Sequence, residues 1–92
     1  MIEITAIHLT DPPKHEHIAL LRWRNIQTGS TGQSTVQQII QWLEESKANQ
    51  AVVVNSDARA YVGVRRPKNG PPYLRTHADG EWNDNLLALP RF

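Results

Sequence analysis

The amino-acid sequence predicts an α+β fold, a mostly antiparallel sheet with one helix packed on one face. Two observations predict this class. Several short segments alternate apolar and polar residues, as strands do, and one segment places apolar residues at helical spacing. The predicted element order is β-β-α-β-β-β. A chain of 92 residues has the length of one domain, so we expect a single domain over residues 1–92.

The first two strands are predicted at residues 2–9 and 16–25, joined by a proline-containing loop at 11–14. One antiparallel register aligns their apolar faces, and it also places Glu3 opposite Arg22, a favourable cross-strand charge pair. The pairs in this register are Ile2–Trp23, Ile4–Leu21, Ala6–Ala19 and His8–His17.

A helix is predicted to follow a loop at residues 28–33 and to begin at Ser34 or Thr35. Ser34 and Gln37 have the spacing of a capping box. The apolar stripe consists of Val36, Ile39, Ile40 and Leu43, with Trp42 beside it. We expect the helix to end between residues 46 and 49.

Three further strands are predicted from the apolar run at 51–54 and from the alternating segments on either side of the loop at 67–72. A turn at 55–57 separates the first two. In that loop, Asn69-Gly70 alone favours a two-residue hairpin turn. A five-residue loop instead groups the apolar residues on one face, and we expect that register. The residues so grouped are Val62, Val64, Leu74 and Thr76.

The last residues, 79–90, are typical of a turn followed by a short apolar segment. Asn83 or Asp84 is expected to cap one helical turn there. Trp82, Leu86, Leu87 and Leu89 are expected to close the open edge of the core. The acids Asp79, Glu81 and Asp84 lie close in sequence, but no nucleophile–base pair accompanies them, so a turn and a cap explain them better than hydrolysis does.

Composition narrows the function mainly by exclusion. The chain has no cysteine, which excludes disulfides, thiolate zinc sites and cysteine nucleophiles. No apolar run exceeds four residues and an acid occupies position 3, so we expect no membrane span, no signal peptide and a cytoplasmic protein. The net charge of +1 predicts only a weak electrostatic field around the protein. We expect no cofactor.

Several strings spread over nearly the whole chain resemble one family. They are His15-Glu16-His17-Ile18, Arg22-Trp23, Thr28-Gly29, Ser34-Thr35, Leu74-Arg75-Thr76, Ala78-Asp79-Gly80, Trp82, and Asp84-Asn85-Leu86-Leu87 followed by Leu89-Pro90. Together they resemble a family of small bacterial proteins of unknown function, DUF3892, and the closing string is the most specific part. The resemblance implies a stand-alone bacterial domain and brings no catalytic or binding residue with it.

The first candidate site is the predicted outer face of the last two strands, where aromatic rings alternate with guanidinium groups. Its residues are Tyr61, Arg65, Tyr73, Arg75 and His77, with Arg66 and Lys68 at the rim and Arg22 and Arg24 added from the first hairpin. Rings of this kind can stack bases, and guanidinium groups can hold phosphates. The alternative is an exposed sheet face held together by Tyr–Arg contacts between strands.

The second candidate is the polar loop before the helix, formed by Thr28, Gly29, Ser30, Thr31, Gly32, Ser34 and Thr35. Free amides, hydroxyl groups and a helix N-terminus could bind an anion. The spacing is not that of a nucleotide-binding P-loop, so a plain connection with a good cap is the alternative.

The histidines are a third candidate. His15 and His17 are predicted on one side of a strand with His8 opposite, and three imidazoles could bind zinc. No carboxylate completes such a site, so we predict no metal and expect surface or hydrogen-bonded histidines at a hairpin end.

The preferred hypothesis is a non-enzymatic module that binds nucleic acid or another anionic partner through the Tyr/Arg face. The alternative is a protein-interaction or self-association domain, indicated by three tryptophans and an apolar tail on a small chain. A metal- or phosphate-dependent enzyme is the third possibility. Partner and oligomeric state are left open by the sequence.

Overall fold

A seven-stranded sheet carries one α-helix on one face. The computed structural model describes residues 1–11, 14–55 and 58–92. Its elements are β1 (Ile2–Leu9), a 3-10 turn (His15–His17), β2 (Ile18–Asn25), β3 (Thr31–Thr35), α1 (Val36–Glu45), β4 (Ala51–Asn55), β5 (Ala58–Arg65), β6 (Tyr73–Ala78) and β7 (Glu81–Asn83). The α+β class is confirmed. The predicted element order is wrong, because the predicted loop before the helix and the predicted turn after β6 each contain a further strand, β3 and β7.

Parts of two predicted loops, at residues 12, 13, 56 and 57, lie outside the described residues. Within the described ranges, no helix is long and apolar enough to span a membrane.

The sheet consists of two antiparallel halves with a narrow parallel joint between β1 and β4. The strand order is β3-β2-β1-β4-β5-β6-β7, so β1–β3 form the first half and β4–β7 the second. The joint pairs only Ile2 with Ala51 and Glu3 with Val52. Farther along β1, the tail lies beside it: the Ile7 N–H donates to the Pro90 carbonyl at 3.0 Å. The C-terminal tail, residues 90–92, therefore lies beside the part of β1 that does not pair with β4.

Both halves turn one face toward α1, and the core lies between them and the helix. The fully buried side chains in it include Ile4, Ile7, Leu21, Val53, Leu74 and Leu86. The helix contributes the predicted stripe, with Val36, Ile39 and Ile40 buried. Burying these side chains is the main favourable term in folding, at roughly 25 cal/mol per Å² of apolar surface.

The helix begins one residue later than the predicted capping box implies. Thr35 is the N-cap: its Oγ1 accepts from the Gln38 N–H at 3.2 Å, and the Gln38 Oε1 accepts from the Thr35 N–H at 2.9 Å. The Ser34–Gln37 box is wrong because Ser34 belongs to β3, where its hydroxyl accepts from Trp23 Nε1 at 3.0 Å. The helix ends at Glu45, just before the predicted region.

The first hairpin forms, but its predicted register is wrong by two residues. Ile4 lies opposite Trp23, and Glu3 lies opposite Arg24 instead of Arg22. A shift of two residues keeps every side chain on the same face, so alternation alone cannot separate the two registers. The pairing then slips between Ile4 and Ala6, an irregularity that the alternation does not predict.

The hairpin between β5 and β6 has the predicted register. Val62 lies opposite Thr76 and Val64 opposite Leu74, so the register of the five-residue loop is confirmed over that of the Asn69-Gly70 hairpin. Leu74 is fully buried. The hydrophobic pattern therefore outweighed the local turn signal.

The predicted turn at Asp79-Gly80 is confirmed, and it leads into the short strand β7. Both residues have positive φ angles, 55° and 79°, as a type I′ hairpin turn requires. After β7, Asn83 Oδ1 accepts from the Asn85 N–H at 3.1 Å and so caps the following turn, as predicted. Leu86 then enters the core.

Candidate nucleic-acid interface

Three aromatic rings lie side by side on the outer face of the second half, on the side of the sheet away from α1. Tyr61 is opposite His77, with ring centroids 6.3 Å apart. His77 is in turn opposite Trp82, with centroids 5.1 Å apart in an edge-on arrangement. The tyrosine is 39% exposed and the tryptophan 40% exposed. These rings, together with Arg65, form the surface that we call the aromatic face.

Trp82 was predicted to close the edge of the core, and that prediction is wrong. Because it pairs with His77, its ring points to the outer face and lies over Gly63. A Cβ at position 63 would be 3.0 Å from Cη2 of Trp82 and 3.1 Å from Cδ2 of His77. The glycine thus leaves room for the indole ring to reach across β6 to β5.

Arg65 supplies positive charge to the aromatic face. Its guanidinium Cζ lies 4.6 Å from the centroid of the Trp82 ring, in cation–π geometry. Within the described part of the chain, no carboxylate pairs with this arginine. Its charge therefore remains available to an anion from solution.

The neighbouring Arg66 does not belong to this face. It forms an ion pair with Glu44 of α1, which lies on the opposite side of the sheet. The placement at the rim of the Tyr/Arg face is therefore wrong for Arg66. Arg66 comes directly after β5, and the alternation along that strand directs it, like Val64, toward the helix side.

Tyr73 and Arg75 form a separate cluster at the start of β6. Arg75 donates from Nε to the Asn83 carbonyl at 3.1 Å and from Nη2 to Asp84 Oδ1 at 3.0 Å. The Tyr73 ring lies 6.4 Å from that of His15. Both residues are on the predicted face, but their polar and aromatic groups contact other parts of this chain.

The two arginines of the first hairpin are three strands away from β5. Arg22 lies over the Phe92 ring, 4.0 Å from its centroid, and Arg24 pairs with Glu3 at 2.9 Å. Adjacent strands are about 4.8 Å apart, so β2 is about 14 Å from β5 in the sheet. The structure does not bring these arginines together with the aromatic face.

The predicted anion loop is mostly a strand. Residues 31–35 pair with β2, and only 28–30 remain in the connection. There the amides are already bonded: the Thr28 N–H donates to Asn25 Oδ1, the Gly29 N–H to the Asn25 carbonyl, and the Ser30 N–H to Thr28 Oγ1. The loop arrangement that the anion hypothesis requires is therefore wrong.

The three histidines at the end of the first hairpin do not come together. His15 and His17 lie in a 3-10 turn and not on a strand, while His8 pairs with Leu20 and its Nδ1 contacts the Phe92 carbonyl. The predicted strand geometry is therefore wrong. Across the described residues, no three His, Asp or Glu side chains are placed to hold a metal ion.

His15 is the one buried histidine of this region. Its Nε2 lies 3.7 Å from Asp84 Oδ1 and has no hydrogen-bond partner in the described structure. Burial lowers the pKa of His15, and the nearby Arg75 lowers it further, against the opposing effects of Asp84 and Glu16. The imidazole is thus held in its neutral form.

Sequence reasoning found Tyr61, Arg65 and His77 of the aromatic face and missed Trp82. The signal that could have found Trp82 is the Asp79-Gly80 pair, which is typical of a two-residue hairpin turn between two strands. That turn places Trp82 directly opposite His77.

The chain matches the family model described as "Protein of unknown function (DUF3892)" over residues 3–90. No curated protein and no solved structure matches it. The match covers almost all of the 92 residues, so the chain belongs to the DUF3892 family.

Proposed function

We propose that this protein is a non-enzymatic module that binds single-stranded nucleic acid on its aromatic face. Bases stack on Tyr61 and Trp82, and the Arg65 guanidinium contacts a phosphate between them. The observation that carries the proposal is the pair of large exposed rings on one sheet face, joined by His77 and accompanied by an arginine that pairs with no carboxylate among the described residues. Base–aromatic stacking contributes about 1–3 kcal/mol per base.

The shape of the face favours single strands over duplexes. The rings lie on the surface of a sheet, where unstacked bases can be laid flat, as sheet-based RNA-binding modules do. In a duplex the base faces are covered by their neighbours and cannot reach such rings. A recess of about 330 Å³ adjoins the face and is lined in part by Tyr61, His77 and Asn49, which leaves room beside the rings for the edge of a base.

The charge of the protein sets the expected strength. With a net charge of +1 and one arginine on the face, few phosphates are neutralised, so the dependence of affinity on salt should be shallow. Stacking then supplies most of the affinity. We therefore expect moderate binding that changes less with salt than that of a basic nucleic-acid-binding domain.

The test is fluorescence anisotropy of labelled single-stranded DNA and RNA oligomers of about 8 nucleotides, within the site sizes of sheet-based modules. Tyr61→Ala and Trp82→Ala should each weaken binding about 5-fold or more, because each removes one stacking surface. Tyr73→Ala is the matched control, since this tyrosine packs near His15 instead of joining the face. It should leave affinity nearly unchanged.

A second matched pair tests the charge. Arg65→Ala should weaken binding and reduce its salt dependence, whereas Arg66→Ala removes the same charge one residue away and should do neither. Equal effects in the two variants would mean that only overall charge matters. Lack of binding to either oligomer at low salt, or equal losses for the Tyr61 and Tyr73 variants, contradicts the proposal.

A further inference from the structure

One edge of the sheet, strand β3, has backbone groups that no described part of the chain satisfies. Along an antiparallel ladder, successive residues of a strand direct their N–H and C=O groups alternately toward and away from the partner. The Asn25 N–H donates to the Ser30 carbonyl at 2.7 Å, so Ser30 is directed toward β2. By the same alternation Gly32 and Ser34 also face β2, and Thr31, Gln33 and Thr35 face outward.

The backbone groups of one of these three residues, Thr35, are already bonded within the start of the helix. The Thr35 N–H is bonded to Gln38 Oε1, and an N-cap carbonyl accepts the first bond of its helix. The open edge therefore presents four groups, namely the N–H and C=O of Thr31 and of Gln33. The two residues are two positions apart, as an added strand requires.

The opposite edge of the sheet differs. Strand β7 is only three residues long, with Glu81 at its start, and the Asn83 carbonyl is occupied by Arg75 Nε. Short strands and charged residues protect sheet edges from pairing. Strand β3 contains neither a charged residue nor a proline, so it lacks these protections.

We propose that β3 is a self-association edge, at which two copies of this chain pair antiparallel about a twofold axis at Gly32. In this register Thr31 of each copy lies opposite Gln33 of the other. Each of these two pairs exchanges two hydrogen bonds, so four bonds satisfy all eight free groups. A register centred on Gln33 would instead oppose Thr31 to Thr35, whose groups are already used by the helix.

The side chains are compatible with that register. Glycine lies at the axis, where the two backbones approach most closely, about 4.5 Å between Cα atoms of a non-hydrogen-bonded pair. Thr31 and Gln33 are both exposed and both uncharged, so no like charges meet across the axis. The edge is thus complementary to itself, which identifies a second copy as the occupant in preference to an unrelated peptide.

Sedimentation equilibrium tests the proposal over protein concentrations from about 10 μM to 1 mM, since four backbone bonds alone support weak association. The wild-type protein should show a monomer–dimer equilibrium. Gln33→Pro removes an outward N–H without breaking the β2–β3 ladder, and Gln33→Lys places two positive charges near the axis. Each should raise the dimer dissociation constant at least about 10-fold.

The matched control is Gln41→Lys, the same exchange at an exposed position of α1, which should leave the equilibrium unchanged. Circular dichroism and urea midpoints confirm that each variant folds, and Gln33→Lys leaves the backbone unaltered in case Gln33→Pro does not fold. A monomeric wild-type protein at every concentration overturns the proposal. So does a dimer that neither Gln33 variant weakens.

Discussion

Each half of the sheet contains a tryptophan that lies over a glycine, and the two tryptophans differ in how much of the ring is exposed. In the first half, Trp23 is opposite Gly32, its Nε1 is held by Ser34, and its ring packs against the core. In the second half, Trp82 lies over Gly63 and remains 40% exposed. A glycine thus makes room for an indole in both halves, but only the second leaves the ring available to a ligand.

The largest expected difference between the halves is the cost of adding a methyl group under each indole. A Cβ at position 32 would lie 2.3 Å from Cζ2 of Trp23, whereas one at position 63 would lie 3.0 Å from Trp82. Because Trp23 is held on several sides, Gly32→Ala should lower the free energy of unfolding by about 3 kcal/mol. Gly63→Ala should cost about 1 kcal/mol or less, because the exposed Trp82 can shift. Urea denaturation measures both.

A double variant identifies the clash as the cause. Trp23→Leu combined with Gly32→Ala should cost less than the sum of the two single changes, since the smaller side chain leaves room for the methyl group. Additive effects in the double variant would show that the clash with Trp23 is not the cause. Equal losses for the two glycine variants would show that the two tryptophans are held alike.

The two halves also differ in how much of their structure could be predicted from the sequence. For β5 and β6, the register of the Asn69-Gly70 turn would put Val62 on the same face as Arg75. The hydrophobic pattern could therefore decide between the two candidate registers. For β1 and β2, the true register as far as Ile4 differs from the predicted one by two residues, and both registers place Ile2 and Ile4 on the same buried face. The slip after Ile4 depends on tertiary packing, which no local pattern encodes.

The candidate site was predictable to the extent that it depended on alternation. Tyr61 and Arg65 follow from the spacing along β5, and strict alternation would also have assigned Arg66 to the helix side. The cation–π contact between Arg22 and Phe92 depends on the position of the C-terminal residues. The tail enters the sheet beside β1, far from Arg22 in sequence, so the arginine's partner could not be read from its neighbours.

A smaller effect concerns the contact between the two halves at His15, which precedes β2 and packs near Tyr73 of β6. Burial, followed by Arg75, lowers the pKa of this histidine in the folded protein. The unfolded chain therefore binds the proton more readily, and stability falls as pH drops below about 6.5, the ordinary value. Above that pH, His15 costs the folded protein no stability. Below the folded-state pKa, the loss of stability due to His15 is complete.

His15→Phe keeps a ring against Tyr73 and removes the titration. It should flatten the fall in urea midpoint between pH 7.5 and pH 5.5, the interval on either side of the ordinary histidine pKa. Titration of the imidazole by NMR should give a pKa below the ordinary value in the wild-type protein. An unchanged acid loss of stability in the variant would assign that loss to other groups.

The smallest expected effect compares the ion pairs of the two halves. Glu3 pairs with Arg24 at 2.9 Å, and its side chain is 22% exposed, whereas Glu44, which pairs with Arg66, is 46% exposed. Less exposed pairs are screened less by water and salt. Glu3→Gln should therefore lower the free energy of unfolding by about 0.5–1 kcal/mol, and Glu44→Gln by about 0.3 kcal/mol or less.

Salt separates an ion pair from a change in packing. In about 1 M sodium chloride, where the Debye length is about 3 Å, both differences from the wild-type protein should shrink, and that of Glu3→Gln should remain the larger. Glu3 also lies in the parallel joint, opposite Val52. If salt leaves the loss of unfolding free energy in Glu3→Gln unchanged, the Glu3 side chain contributes through packing at the joint. In that case the two halves are connected there by contact and not by charge.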